Sequence, residues 1–137
     1  MSKKSIGNRG HLGLLIMRIG VGLWFVIGHG YSKIAGGPEK WTSIGKATQN
    51  VGIDFLPVFF GFMPSISELL GGILLVLGLL TRYAAAFLLI TMLVAISYHL
   101  ANDQGIEKTM VYAMYFISTI LIGPGKYSLD RQLLNKR

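Results

Sequence analysis

Four long apolar segments, separated by short polar turns, occupy most of this 137-residue chain. They cover about residues 11–31, 64–80, 83–100 and 108–122, each near the roughly 20 residues that cross a bilayer. A polar turn at 102–105 separates the last two, and a Gly-Pro-Gly break at 123–125 ends the fourth. The pattern predicts one all-α domain over residues 1–137, a polytopic membrane protein built as a bundle of four transmembrane helices.

The longest connection covers residues 32–63 and is predicted to lie outside the cell. Within it, Trp41, Ile44, Thr48 and Val51 recur at helical spacing. This spacing predicts a short interfacial helix over 40–51, with Trp41 at headgroup depth. Because proline suits a first helical turn, the second span is predicted to begin near Pro64.

Composition and charge placement support the membrane assignment. Hydrophobic residues make up 52% of the chain and charged residues 14%, against about 25% charged in a typical soluble domain. Eight of the 13 Lys and Arg lie in the N-terminal tail, the turn at Arg82 and the C-terminal tail 126–137, and four lie in the other two loops. This bias predicts that both termini are cytoplasmic, and it explains the net charge of +7 without a nucleic-acid partner.

The chain has no cysteine. Its own residues therefore cannot form a disulfide, relay thiols or hold an iron–sulfur cluster through cysteine.

Ionisable side chains inside the spans are the candidates for function, because such groups cost several kcal/mol in hydrocarbon unless paired or used. They are Arg18, His29, Glu68 and His99. The simpler interpretation is an Arg18–Glu68 ion pair that sets the helix register, with both histidines as boundary residues bonded to backbone.

The second interpretation is a polar pocket on the outer side. His29 and His99 end two antiparallel helices, Glu68 lies just below their level, and Lys33 extends the helix 1 face by one turn. Such a pocket can bind a quinone headgroup, relay protons or ligate a metal. The spacing matches no metal-binding signature, so metal and haem are disfavoured and no metal ligand is assigned.

Three further residues complete the candidate set. Tyr115 lies deeper than a boundary tyrosine and is expected to hydrogen-bond into the polar interior. Arg82 and Asp130 both lie at the cytoplasmic rim, where a contact between them would tie the C-terminal tail to the turn between the second and third helices.

Three motifs along the chain resemble those of the DoxX-like family of small bacterial membrane proteins. They are GHGYSK at 28–33, ELLGG at 68–72 followed by GLLTR at 78–82, and GPGKYSLD at 123–130. The resemblance runs in order from about Leu12 to Arg131. It implies a four-helix, multi-pass protein of the bacterial cytoplasmic (inner) membrane.

The resemblance also implies a redox context. The family name comes from a relation to a subunit of a thiosulfate:quinone oxidoreductase, and other members are linked to oxidative-stress and thiol-redox assemblies. The residues that carry over are His29, Lys33, Glu68, Arg82 and the segment ending at Asp130. No catalytic role comes with any of them.

Together with the polar pocket, the resemblance implies a membrane subunit of a redox-linked complex that contacts quinone. Its expected partners are the lipid bilayer and another membrane or redox protein, and a homo-oligomer is compatible with the pattern. The alternatives are a non-catalytic membrane scaffold that anchors a partner, and a small-solute or lipid-handling membrane protein.

The charge bias makes a prediction about topology. Single cysteines introduced by Lys40→Cys and Asp103→Cys should be labelled by an impermeant thiol reagent added to intact cells. Cysteines introduced by Lys3→Cys and Arg137→Cys should be labelled only after lysis. Labelling of the tails in intact cells would reverse the orientation.

Overall fold

The computed structural model of the protein describes residues 6–135. Lys3 and Arg137, which enter the orientation prediction, lie outside the described residues. The secondary structure within 6–135 is helical, with no strand. In chain order it consists of α1 Asn8–Trp24, a π-helical segment Phe25–Gly30, α2 Tyr31–Ala35, α3 Gly37–Gly45, a 3-10 helix Lys46–Val51, α4 Pro57–Leu77, α5 Thr81–Ala101, α6 Glu107–Ile122 and α7 Leu129–Leu134.

Three of the described helices are long and apolar enough to cross a membrane. They are the continuous helix Asn8–Ala35, formed by α1, the π-helical segment and α2, together with α4 and α5. The fourth predicted span corresponds to α6, which has 16 residues and a length of about 24 Å at 1.5 Å per residue. This is shorter than the roughly 30 Å hydrocarbon core, so a fourth crossing remains a prediction.

The bundle has α4 at its centre. One side of α4 packs against α1 and the π-helical segment, and other sides contact α3 and α5. The helix α6 packs against α5. Its Phe116 also reaches the π-helical segment, where the ring centroids of Phe116 and Phe25 are 5.3 Å apart. Phe25, Phe116, Leu75 and Leu88 are fully buried at the core. Large apolar side chains elsewhere on the helices face outward, as expected for a surface in contact with lipid.

Glycines allow α1 and the π-helical segment to lie directly against α4. A Cβ added at Gly22 would lie 2.7 Å from the Gly72 carbonyl oxygen, and one added at Gly72 would lie 2.8 Å from the Gly22 carbonyl oxygen. Gly30 makes a similar approach, with the Leu69 backbone 2.6 Å from its added Cβ. Small residues at such contacts replace the hydrophobic effect as the source of helix association in lipid.

The helix α4, which corresponds to the second predicted span, begins at Pro57, seven residues before the predicted start near Pro64. Pro57 also occupies a first-turn position, so the proline signal alone does not distinguish the two starts. Pro64 lies inside the helix and removes one backbone donor there. In the same turn the Ser65 hydroxyl donates to the Gly61 carbonyl oxygen at 2.7 Å.

The segment predicted as an interfacial helix over 40–51 is helical, as α3 followed by the 3-10 helix. It packs closely on the first turns of α4. A side chain at Gly45 would overlap the Pro57 carbonyl, and one at Gly61 would overlap the Trp41 carbonyl. Trp41 is half-buried, and its indole N–H donates to the Lys33 carbonyl oxygen at 2.9 Å. The interfacial position of this helix remains a prediction.

Two glycines of α1 provide a matched test of the close packing. Gly20 has no atom within 4 Å of an added Cβ, whereas Gly22 faces Gly72 and Val76 at 2.7 Å. Alanine in a helix is favoured over glycine by about 0.5–1 kcal/mol, so Gly20→Ala should leave the melting temperature in detergent unchanged or raise it. Gly22→Ala should lower it through overpacking of about 1–3 kcal/mol. Equal effects of the two variants would contradict this packing.

Candidate functional site

An ion pair between Lys33 and Glu68 lies where α2 meets α4. The ammonium nitrogen of Lys33 is 2.7 Å from each carboxylate oxygen. The ammonium donates a hydrogen bond to Oε1. Oε2 is within ion-pairing distance but accepts no hydrogen bond. Glu68 is 1% exposed and the Lys33 side chain 27% exposed. The carboxylate is therefore neutralised in the bundle interior, and its Oε2 accepts no hydrogen bond from a described residue.

His29 lies next to this pair on the π-helical segment. Its ring packs edge-on against three aromatic rings, those of Trp24, Phe25 and Tyr112, at centroid distances of 5.8, 5.3 and 6.4 Å. The half-buried imidazole interacts electrostatically with Glu68 and Lys33 and makes no hydrogen bond to another described residue. Short π-helical turns within α-helices are frequent at functional sites.

The same turn of α4 carries a second polar atom without a partner. The hydroxyl of Ser67, beside Glu68 in the chain, is buried and makes no hydrogen bond among the described residues. Leaving a buried polar atom unpaired costs about 1–3 kcal/mol. Buried polar atoms without a hydrogen bond are common where a ligand or water binds, so Ser67 and Glu68 mark this turn of α4 as a candidate for such binding.

The predicted Arg18–Glu68 ion pair is wrong. Among residues 6–135 the only ion pair is Lys33–Glu68. Arg18 is buried and donates instead to two carbonyl oxygens of the C-terminal segment, those of Pro124 and, at 2.7 Å, Tyr127. Its guanidinium lies against Gly78, ten residues beyond Glu68 along α4 and therefore roughly 15 Å away along the helix axis.

Two other members of the predicted pocket, His99 and Tyr115, contact residues other than Glu68. His99 bonds through Nδ1 to Gln104 Oε1 at 2.7 Å in the turn after α5, and its ring contact is with Tyr98. Tyr115 is half-buried on α6, packs edge-on against Phe116, and is close enough to Arg18 to interact with its charge. Of the six residues in the predicted polar pocket, His29, Lys33 and Glu68 come together, and Tyr115 lies near Arg18 instead.

Arg82 and Asp130 do not form the predicted contact as an ion pair. Both Asp130 oxygens accept backbone N–H groups at the start of α5, from Leu80 at 2.7 Å and Thr81 at 2.9 Å. The Asp130 N–H in turn donates to the Gly78 carbonyl oxygen at 2.9 Å. The carboxylate satisfies free donors at a helix start, where negative charge is also favoured, and Arg82 lies over Gly123. Asp130 therefore does connect the C-terminal segment to the turn between α4 and α5, but through backbone groups of that turn rather than through Arg82.

Two of these features have no clear signal in the sequence. The π-helical segment is flagged only by the glycines on either side of His29, and the capping role of Asp130 depends on a chain reversal after α6. In the described residues no three His, Asp or Glu side chains cluster as a metal site would require.

The long apolar helices and the buried ion pair define a small helical integral membrane protein. The DoxX family model matches residues 13–101, which contain most of α1, everything from there to the end of α5, and all three residues of the site. The chain therefore belongs to the DoxX family.

Two relatives match almost the whole chain. Inner membrane protein YqjF of Escherichia coli K12 is 30% identical over 132 residues, covering 92% of this chain and 95% of the relative. An uncharacterized protein of Haemophilus influenzae is 31% identical over 132 residues, covering 90% and 92%. No solved structure matches the chain.

A double-mutant cycle tests the ion pair. Lys33→Met leaves the buried Glu68 carboxylate without its counter-ion and should lower stability by about 2–3 kcal/mol, discounted for the partial exposure of Lys33. Glu68→Gln should cost less, because Lys33 can turn toward solvent. The double variant should recover part of the summed loss in thermal unfolding. As a control, Arg18→Gln and Glu68→Gln should be additive, and additivity in the Lys33–Glu68 cycle would show that this pair contributes nothing.

Proposed function

We propose that this protein is a membrane subunit of a redox-linked complex in the bacterial inner membrane, and that Lys33, Glu68 and His29 bind the headgroup of a quinone. The observation that carries the proposal is the buried Lys33–Glu68 pair, whose Oε2 accepts no hydrogen bond, next to an imidazole that makes no hydrogen bond to another described residue.

The chemistry of the three side chains matches a quinone headgroup. A quinone carbonyl oxygen needs a donor, which the Lys33 ammonium or a His29 N–H supplies, and a quinol hydroxyl needs an acceptor, which Glu68 Oε2 supplies. Of the rings around His29, the exposed Trp24 and the half-buried Tyr112 offer flat apolar surface for the quinone ring. Charge-assisted hydrogen bonds of this kind are about twice as strong as neutral ones.

The membrane setting supports the same proposal. Quinones reside in the bilayer, and an ionisable pair inside a membrane bundle is a functional-site candidate by default. The similar protein YqjF is an inner membrane protein, which favours that location for this chain. With α6 as a fourth crossing, accommodated by local thinning of the bilayer, both termini share one side.

Electrons for quinone chemistry would pass to or from a partner protein. The chain has no cysteine, so any thiol chemistry of such a complex would belong to the partner. The exposed apolar surface of the bundle leaves room for a membrane partner or a second copy.

The packing around Lys33 favours one alternative, a non-catalytic scaffold. The Lys33 carbonyl accepts the Trp41 indole N–H, and the Lys40 ammonium donates to the Ser32 carbonyl oxygen at 3.2 Å. These contacts join α2 to α3 at the level of the ion pair. In a scaffold, the Lys33–Glu68 pair would only hold this junction together.

Quinone binding distinguishes the two functions. Trp24 packs on His29 and Trp41 bonds to Lys33, so titration of the purified protein with a short-chain ubiquinone should quench tryptophan fluorescence in a saturable way. Lys33→Met and Glu68→Gln should each weaken binding about tenfold or more, as expected for loss of a hydrogen bond to a charged group. His29→Phe, which keeps an aromatic ring but removes both nitrogens, should also weaken it.

Lys46→Met is the matched control, because Lys46 is an exposed lysine of the same loop outside the site. It should bind as the wild type does. Quenching that does not saturate, or equal affinity in the site variants and Lys46→Met while all remain folded, would reject the quinone site and leave the scaffold.

A further inference from the structure

A second polar site lies at the other end of the bundle, away from Glu68. A cavity of about 1270 Å³ opens between the start of α1, the turn joining α4 to α5, and the C-terminal segment with α7. Neither the Lys33–Glu68 pair nor His29 takes part in it.

The cavity is lined by positive charge without a matching negative charge. Its cations are Arg82, Lys126 and Arg131, and its one carboxylate is that of Asp130. Asp130 is already engaged by two backbone N–H groups, and none of the three cations forms an ion pair with a described residue. Three cations around one open space favour an anion with several acceptor oxygens, as a phosphate has.

The walls of the cavity are held in place rather than formed by a loose tail. Arg18 fixes the carbonyls of Pro124 and Tyr127, and Asp130 joins α7 to the start of α5. The Lys126 N–H also donates to His11 Nδ1 at 3.2 Å, which connects the segment to α1. A preorganised site loses less entropy on binding its ligand.

The rim of the same cavity is apolar and exposed. Leu80, Tyr83 and Leu134 line it and are 53%, 69% and 67% exposed. Because α4 ends and α5 begins here, the rim lies where a transmembrane helix leaves the hydrocarbon. A ligand with a phosphate and attached acyl chains satisfies both surfaces, whereas a soluble phosphate compound would leave the apolar rim uncovered.

We infer that this cavity binds the phosphate group of an anionic phospholipid, with Arg82, Lys126 and Arg131 around the phosphate and the acyl chains against the apolar rim. Basic pockets at the cytoplasmic ends of transmembrane helices recognise lipid headgroups by this chemistry.

Native mass spectrometry of the delipidated protein tests the inference, with phosphatidylglycerol and phosphatidylcholine of identical acyl chains as probes. Phosphatidylglycerol should bind several-fold more tightly. A basic residue contributes about fivefold at an anionic surface, so the double variant Arg82→Gln/Arg131→Gln should weaken phosphatidylglycerol binding by roughly 25-fold. The single variant Lys126→Gln changes an exposed side chain and should weaken it about fivefold even if the double variant folds poorly.

Lys46→Gln/Lys108→Gln removes the same charge from two exposed lysines outside the cavity and should leave binding unchanged. An equal loss in this control would reduce the effect to net charge and overturn the inference. Equal affinity for the two lipids would overturn it as well. Displacement of phosphatidylglycerol by millimolar inorganic phosphate would assign the cavity to free phosphate instead and reject the phospholipid.

Discussion

The contact between α4 and the helix formed by α1 and the π-helical segment determines where every interior charge of this protein lies. Gly22 and Gly72 bring the two backbones together at one level, and Gly30 meets Leu69 at another. These contacts leave no space for an added side chain, so the helices cannot slide without a clash. With the register fixed, Lys33 lies on Glu68 at one end and Arg18 lies beside Gly78 at the other. In lipid, where apolar side chains gain nothing by leaving the solvent, such backbone approach is a main source of specificity.

The same register divides the polar interior into two separate regions. Phe25, Leu75, Leu88 and Phe116 are fully buried between them and supply no polar atom that could carry a proton or bridge charges. Glu68 therefore has its counter-ion on the neighbouring α2, whereas Arg18 donates hydrogen bonds to two carbonyl oxygens of the C-terminal segment. The buried guanidinium holds the C-terminal segment against α1 through two carbonyl oxygens. This structural role explains why a charge that is costly to bury is retained inside α1.

The features that depend on local pattern could be predicted from the sequence. The apolar segments locate the long helices within a few residues, and the cost of charge in hydrocarbon identifies Arg18 and Glu68 as residues that need partners. Their partners could not be predicted, because pairing depends on helix register, which is set by glycine contacts between residues distant in the chain. Helix 1 continues without a break to Ala35 and α4 begins at Pro57. Lys33 therefore lies inside helix 1, at the level of Glu68.

The two ends of the bundle differ in charge balance, and this difference connects the local sites to the membrane. At the Glu68 end, the interior carboxylate is matched by one ammonium, so a ligand there meets a nearly neutral set of donors and acceptors. At the Arg82 end, three cations surround a carboxylate already used for capping, so a ligand there meets net positive charge. Positive charge favours the cytoplasmic side, where it also faces anionic lipid headgroups. This difference in charge distinguishes the two proposed sites, one for a neutral quinone headgroup at the Glu68 end and one for an anionic phosphate at the Arg82 end.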